Sequence, residues 1–410
     1  MLLFKITLIL ALAVWLLAMV SAYHFGSIGR KLMKQDHKIM GQDAELPPLS
    51  VVIVAHNQAA ALRRHLPIVL EQDYDRFEVI VVDMASDDET KDILERLELT
   101  NANLRHTFTP ASARDISIER LALTLGFRSA THEWVVLTRA DCEPLSTQWL
   151  TRIGETITTP KQFVQNPRMQ VPDMVLGVAL YDEQRSTWLD LQSSFYRLWH
   201  EMANINHVLG GHAAVHADNC NLAVRKSFFM ESGGFSAGHN LKAGAEELLV
   251  NHTSRPNNTA VVLSPMAMII QDRIGSTYQW KQQLMYYAET RSHQRHATLY
   301  RIKQAWQMLI PWIVIVAIIV PLILSLLLLT QDNEGVDATQ IYVLIAVLPV
   351  LLITYIATKI AQFYKTTNAL GCHNYIFSFL PLELHLPIRE LSAWLARRFT
   401  SDKEFRKKFV

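Results

Sequence analysis

Leu49-Ser50-Val51-Val52-Ile53-Val54-Ala55-His56-Asn57 is the stretch on which the reading of this chain turns. Its five central residues are apolar and mostly β-branched, and the run stops abruptly at His56-Asn57. A second run, Val79-Ile80-Val81-Val82, stops at Asp83, and a third, Trp134-Val135-Val136-Leu137, stops just before Asp141. Short runs that are apolar on both faces are the pattern of buried parallel strands rather than half-exposed ones. Helical patterns lie around them, over Ala59–Gln72, Glu89–Leu97 and Ile116–Ala130. Strands alternating with helices predict βαβ units and a mostly parallel sheet covered on both faces. In such sheets ligands bind off the carboxyl ends of the strands, which here carry Asn57, Asp83 and Asp141.

Working outward, the 410 residues are half hydrophobic, with a mean hydropathy of +0.11. The apolar excess gathers near both ends. Leu2 to Tyr23 is long enough to cross a bilayer and reads as an uncleaved anchor rather than a secretory signal, whose apolar region would be shorter. Two further spans are predicted over about Met308–Leu329 and Ile341–Thr358; Pro311 and Pro321 are tolerable in a membrane helix. Net charge is +1, so no global basic field points to nucleic acid. Three scattered cysteines suit a reducing compartment.

Charge placement predicts an orientation. Arg30, Lys31, Lys34 and Lys38 follow the first span, Lys359 and Lys365 follow the third, and Arg397, Arg398, Arg406, Lys407 and Lys408 fill the tail. The segment Gln331–Asp337 between the second and third spans has no Lys or Arg. Basic residues mark the cytoplasmic side, so the large central domain is expected in the cytoplasm. Tyr375–Phe399 mixes apolar and charged residues and is broken by Pro381 and Pro387. From Pro387 onward Ile388, Leu391, Trp394 and Leu395 share one helical face. This reads as an interfacial amphipathic helix, with a helix packed on the soluble domain as the alternative.

A carboxylate on the lip of a sheet suits a hard divalent cation, which binds through one or two carboxylates together with substrate phosphates. Asp83 precedes Met84-Ala85-Ser86-Asp87-Asp88-Glu89-Thr90, where Ser86 or Asp87 could equally cap the next helix. Asp141 lies in Thr138-Arg139-Ala140-Asp141-Cys142-Glu143-Pro144.

With these pieces in order, the sequence resembles the membrane-anchored family 2 glycosyltransferases of the GT-A fold over roughly Pro47 to Arg295. "PPLSVVIVAHNQ" looks like the first, nucleotide-binding strand, and "LEQDYDRFEVIVVDMASDDET" is similar to the second strand and its acidic turn. "WVVLTRADCEPLSTQWL" sits where the family has Asp-x-Asp. "NCNLAVRKSFFMESGGF" is similar to the acceptor-side segment, which includes Asn219 and Asn221, and "AGAEELLVNHT" to the stretch holding the catalytic base. The resemblance implies a GT-A domain over residues 47–300, flanked by membrane segments at 1–25, 308–329 and 341–359 and an amphipathic segment at 375–400. It implies that Asp83, His56 and Asn57 bind the donor base and that Asp141 holds Mg²⁺ or Mn²⁺ on the diphosphate. Glu247 would be the general base of an inverting displacement, with Glu246 orienting the acceptor.

Two departures qualify it. Arg139 stands at the first Asp of Asp-x-Asp, where a guanidinium could pair with phosphate directly. The Gln-x-x-Arg-Trp motif of processive members is not intact at Trp280–Tyr287, where Met285 cannot bind a diphosphate; Lys281, Arg291 and Arg295 are substitutes without defined geometry. With two late spans, transfer of one or few sugars is expected rather than chain extrusion.

The expectation is therefore an enzyme of the inner membrane that moves a sugar from a nucleotide-sugar to a membrane-proximal glycan or lipid-linked acceptor, touching membrane lipids and no nucleic acid. The alternative is a weak or inactive homologue that serves as a membrane partner in a glycan assembly complex. Of the remaining features, His212 and His216 read as loop residues rather than metal ligands, and Gly233-Gly234 as a turn. The basic run Arg291–Arg301 reads as a solvated flank beside anionic lipid.

Overall fold

The computed structural model describes residues 2–25, 45–110, 117–158, 171–182, 187–238, 244–295, 297–329, 338–372 and 375–401. Arg30, Lys31, Lys34, Lys38, the 331–337 segment and Arg406, Lys407 and Lys408 lie outside them. The chain divides into an α/β unit, residues 32–298 and 392–410, and a helical unit, residues 1–31 and 299–391.

The α/β unit starts with β1 (Leu49–Ala55), all seven residues of which are buried. Helix α2 (Ala59–Leu70) leads to β2 (Phe77–Asp83), α3 (Thr90–Thr100) to β3 (Leu104–Phe108), and α4 (Ile118–Ser129) to β4 (Trp134–Arg139). These four strands pair in parallel in the order β3-β2-β1-β4. The predicted strands and helices are thus present. Strand β3, Leu-Arg-His-Thr-Phe, is an addition: it is half exposed at the sheet edge and lacks an apolar run to announce it. Gly126 lets α4 lie against β1, since a Cβ there would stand 2.3 Å from Val52 Cγ1.

Short strands β5 (Cys142–Pro144), β6 (Met174–Leu176) and β7 (Ala179–Tyr181) follow, with α5 (Trp149–Thr158) after β5. Then come α6 (Trp188–Leu209), β8 (Leu222–Arg225), α7 (Lys226–Glu231), α8 (Ala245–Thr253), β9 (Thr259–Val261), β10 (Ile269–Gln271) and α9 (Thr277–His293). The main sheet has the order β3-β2-β1-β4-β8-β6-β9, and β8 runs antiparallel to both of its neighbours. A second sheet, β5-β10-β7, lies beyond the end of β4. The turn at Gly233-Gly234 has φ of 82° and 59°, the left-handed region that glycine occupies without steric cost.

Asn221 ties the two sheets together. Its side chain accepts from Trp149 Nε1 (3.1 Å) and donates to the carbonyls of Val178 (2.9 Å) and Ala267 (2.8 Å). Gly177 makes room for it, because a Cβ there would fall 2.2 Å from the Asn221 carboxamide carbon. Asn221, read from sequence as part of the acceptor segment, is a fully enclosed clamp of the fold.

In the helical unit, α1 (Leu2–Phe25), α10 (Thr298–Leu329) and α11 (Ala338–Ala369) are long and apolar enough to cross a membrane. Ala11, Ala18 and Ala22 of α1 are buried against α11, where small side chains allow close approach. Trp15 Nε1 donates to Thr354 Oγ1 at 3.1 Å. Lys359 is an internal residue of α11 and pairs with buried Glu383 at 2.5 Å. Glu383 belongs to α12 (Phe379–Phe399), one continuous helix that carries Pro387 in its interior and does not break there.

Candidate active site at the ends of the parallel strands

The register of the sheet sets the site. Asp83 is opposite Ala55 across the β1–β2 ladder, and Arg139 is opposite Val54 across β1–β4. Three strand ends therefore bring His56, Asn57, Asp83, Arg139 and Asp141 to one edge, as the sequence predicts.

The loops after β1 and β2 are laced together. The Asn57 N–H donates to Ser86 Oγ (2.9 Å), its Oδ1 accepts from the Asp87 N–H (2.8 Å), and His56 Nδ1 donates to the Met84 carbonyl (3.0 Å). Asn57 and Ala85 both take positive φ, 52° and 54°. Such a conformation in a non-glycine residue persists where surrounding bonds hold it and marks functional loops. Asp83 Oδ1 accepts from Ser86 Oγ (2.5 Å) and the Ser86 N–H (3.1 Å). Its Oδ2 takes no hydrogen bond among the described residues. Helix α3 has Glu89 at its N-cap without a side-chain cap, and the preceding Asp88 carboxylate accepts from the Thr90 N–H (3.0 Å). Neither Ser86 nor Asp87 caps the helix, and one Asp83 oxygen stays open among the described residues.

Asp141 is bracketed. Arg139 Nε donates to Oδ1 at 3.0 Å and Gln271 Nε2 to Oδ2 at 2.9 Å. Burial works against its charge, but Arg139 and Gln271 outweigh it and hold the carboxyl below its ordinary range. Gln271 comes from β10, paired to β5 so that it faces Cys142, and the Asp272 N–H donates to the Asp141 carbonyl at 2.8 Å. Beside Arg139, Asn219 Nδ2 donates to Glu119 Oε1 at 3.3 Å, and burial raises the Glu119 carboxyl. No motif marks Gln271 or Glu119. The first arrives through a short strand without periodicity, and the second lies in the opening turn of α4.

A divalent cation does not fit this donor set as it stands. Asp141 is the carboxylate at the strand end, both its oxygens carry protein donors, and one of those donors is itself a cation. Among the described residues no group of three His, Cys, Asp or Glu side chains could hold a metal ion. His212 and His216 follow α6 in irregular backbone, both half-buried, and desolvation drives the His216 imidazole down to about 3, with His200 and Arg291 adding to the effect.

Glu246 and Glu247 open α8, and both are buried (4% and 7% exposed), so a solvated helix start is not what they form. Burial pushes Glu246 up to about 8, and Tyr286 Oη lies 3.4 Å from its Oε1. Burial, with Glu246 adjacent, raises Glu247 well above the carboxylate range, while Arg291 opposes the shift. Glu247 lines a cavity of about 30 Å³, room for a water molecule or two, together with Arg197, His200, Glu201, Asp218 and Arg291. Glu201 faces the same space with its carboxyl raised by burial and by Asp218 to about 8. Arg197 pairs with Asp218 at 2.6 Å and also donates to Gln271, which links this cavity to the Asp141 bracket. Arg291 donates to Tyr196 Oη at 3.1 Å and to His200. The sequence places Arg291 in a solvated flank; instead aromatic and imidazole groups draw it inside. Trp280, at 1% exposure, packs edge-on to Tyr196 with centroids 5.3 Å apart.

Residues 50–228 match the family model described as Glycosyl transferase family 2. Over that segment, which runs from β1 into α7, the α/β unit is similar to the family 2 glycosyltransferases, here in a chain with three apolar helices of membrane-spanning length. The structure of the mannosyltransferase PcManGT from Pyrobaculum calidifontis, in complex with GDP-Man and Mn²⁺, aligns over 94% of this chain and 99% of its own at 17% identity and a TM-score of 0.51. That likeness shows a shared GT-A fold. S. aureus TarS 1–349 in complex with UDP-GlcNAc aligns over 88% of this chain and 92% of its own at 13% identity, with a TM-score of 0.39. No curated protein matches the chain.

Proposed function

We propose that the domain is an inverting glycosyltransferase that takes a sugar from a nucleoside diphosphate donor and passes it to an acceptor hydroxyl near the membrane. The observation that carries the reading is the convergence of Asp83, Arg139 and Asp141 at one sheet edge within the residues matched to the family. Asp83, with one unpaired carboxylate oxygen beside Asn57 and His56, takes the donor base. Arg139 faces the diphosphate, and Gln271 holds Asp141 beside it. Glu247 takes the proton of the acceptor hydroxyl as its oxygen bonds to the anomeric carbon and the bond to the diphosphate oxygen breaks, releasing the nucleoside diphosphate. A carboxyl of raised pKa matches the proton affinity that step needs near neutral pH. Glu246, held by Tyr286, orients the acceptor.

Tethering by apolar helices favours a glycan or lipid-linked acceptor over a freely diffusing one. Basic residues after the first span and in the C-terminal tail favour a cytoplasmic domain at a cell inner membrane. The exposed row Ile388, Leu391 and Trp394 on α12 suits the lipid interface. The test is donor turnover by detergent-purified full chain across UDP- and GDP-sugars, beside Glu247→Gln. Turnover by wild type, lost in the variant with nucleotide binding retained, supports the reading. A second reading, an inactive partner in an assembly complex, draws on Met285 in the late motif and on the bracketed Asp141. It gains if wild type and Glu247→Gln bind nucleotide equally and neither turns over any donor.

A further inference from the structure

The side chain at the end of β4 is a cation, and its placement is specific. Arg139 spends Nε on Asp141 at 3.0 Å. Its two terminal nitrogens have no acceptor among the described residues, and the side chain is one-third exposed (34%). The edge it occupies also presents the open oxygen of Asp83, two strands away. Asp141 balances Arg139, and Gln271 covers the remaining Asp141 oxygen, so a metal ion would have to displace a guanidinium from its carboxylate to gain a ligand. A guanidinium pre-oriented by one carboxylate leaves a planar pair of N–H donors, the geometry that meets phosphate oxygens in a bidentate fork.

Resting on the donor-site reading above, we propose that Arg139 binds the donor diphosphate in place of a divalent cation, so that this chain holds its nucleotide without metal. Asp141 then acts as a positioning residue for the guanidinium rather than as a ligand. Gln271 keeps Asp141 turned toward Arg139.

The experiment is calorimetric titration of UDP and of GDP into the detergent-purified full chain, in EDTA and in Mn²⁺, with free Mn²⁺ followed by electron paramagnetic resonance. Wild type is expected to bind one nucleotide with affinities in EDTA and Mn²⁺ that agree within about threefold, and to leave the free Mn²⁺ signal no lower than the same nucleotide and Mn²⁺ give without protein. Arg139→Ala is expected to weaken binding at least tenfold, and Arg139→Lys, which keeps the charge but not the fork, to weaken it less. Wild-type binding that disappears in EDTA and returns with Mn²⁺ overturns the inference and leaves the donor-site reading standing. Arg139→Ala binding as wild type does also overturns it. If neither nucleotide binds under either condition, the donor-site reading itself fails and takes the inference with it. The wild-type comparison needs no variant, so a folding defect in Arg139→Ala cannot rescue the idea.

Discussion

Replacing Asn221 by leucine removes three side-chain hydrogen bonds at nearly constant volume. The three partners do not suffer equally. The Val178 carbonyl still accepts from the Ile269 N–H at 3.1 Å, so it loses one of two bonds. Trp149 Nε1 and the Ala267 carbonyl have no other partner among the described residues, and the chain around them is buried. A buried polar group left unpaired costs roughly 1–3 kcal/mol, and a shared acceptor about 0.5–1 kcal/mol. The sum is about 4 kcal/mol of lost stability. At roughly 2–4 °C per kcal/mol for a domain of this size, the apparent Tm should fall by about 8–16 °C. Thermal unfolding of the detergent-solubilised chain, followed by tryptophan fluorescence, measures it directly. Asn219→Ala, which removes a single 3.3 Å bond to Glu119, serves as the companion and should move Tm by less than about 3 °C. A shift for Asn221→Leu as small as that, accompanied by a raised KM for acceptor, would return Asn221 to an acceptor-binding role and refute the clamp.

Other expectations follow from the buried charges. In the folded chain Glu201 stays protonated up to about pH 8, whereas unfolded it ionises near 4.5, so the folded state holds the extra proton and stability falls as pH rises across that window. Glu201→Gln cannot ionise; its Tm relative to wild type should climb between about pH 5 and about pH 9, toward a ceiling of about 5 kcal/mol at roughly 1.4 kcal/mol per pKa step, and parallel curves would sink the idea. With Glu247 as the proposed base, which acts when ionised, and its carboxyl raised, turnover should increase as pH rises beyond the ordinary carboxylate range; a pH-rate profile flat from about pH 5 upward would assign the base elsewhere. Lys359→Met strands buried Glu383 and should destabilise the helical unit by about 3–5 kcal/mol, while the double variant Lys359→Met, Glu383→Leu should recover most of the loss; resistance to thermal aggregation in detergent ranks the three.

Legibility followed the physics of each element. Strands β1, β2 and β4 are buried on both faces and so consist of unbroken apolar runs, which is why their ends, and with them Asp83 and Asp141, could be found from sequence. Strand β3 sits at the edge and mixes Arg105 and His106 with apolar residues, and β5 to β10 are three or four residues long, too short for any period to emerge. The bracket on Asp141 was hidden for the same reason: Gln271 reaches it only through the pairing of two such strands. Arg291 misled because charge near an apolar helix suggests a lipid-facing flank, whereas Tyr196, His200 and a buried carboxyl give a guanidinium partners inside a fold.

The reversed direction of β8 has a practical corollary for protein engineering. Because β8 runs opposite to β4, the residues just before it, Asp218 to Asn221, arrive at the end where β4 has just delivered Arg139. The chain thus leaves that edge after β5 and is back at it just before β8. Chain transplanted there from a relative has to preserve the pairing of β6 and β7 and the Asn221 socket. Chimeras that exchange this excursion keep Asp83, Arg139 and Asp141 in place, provided Arg197, which donates to Gln271, is retained.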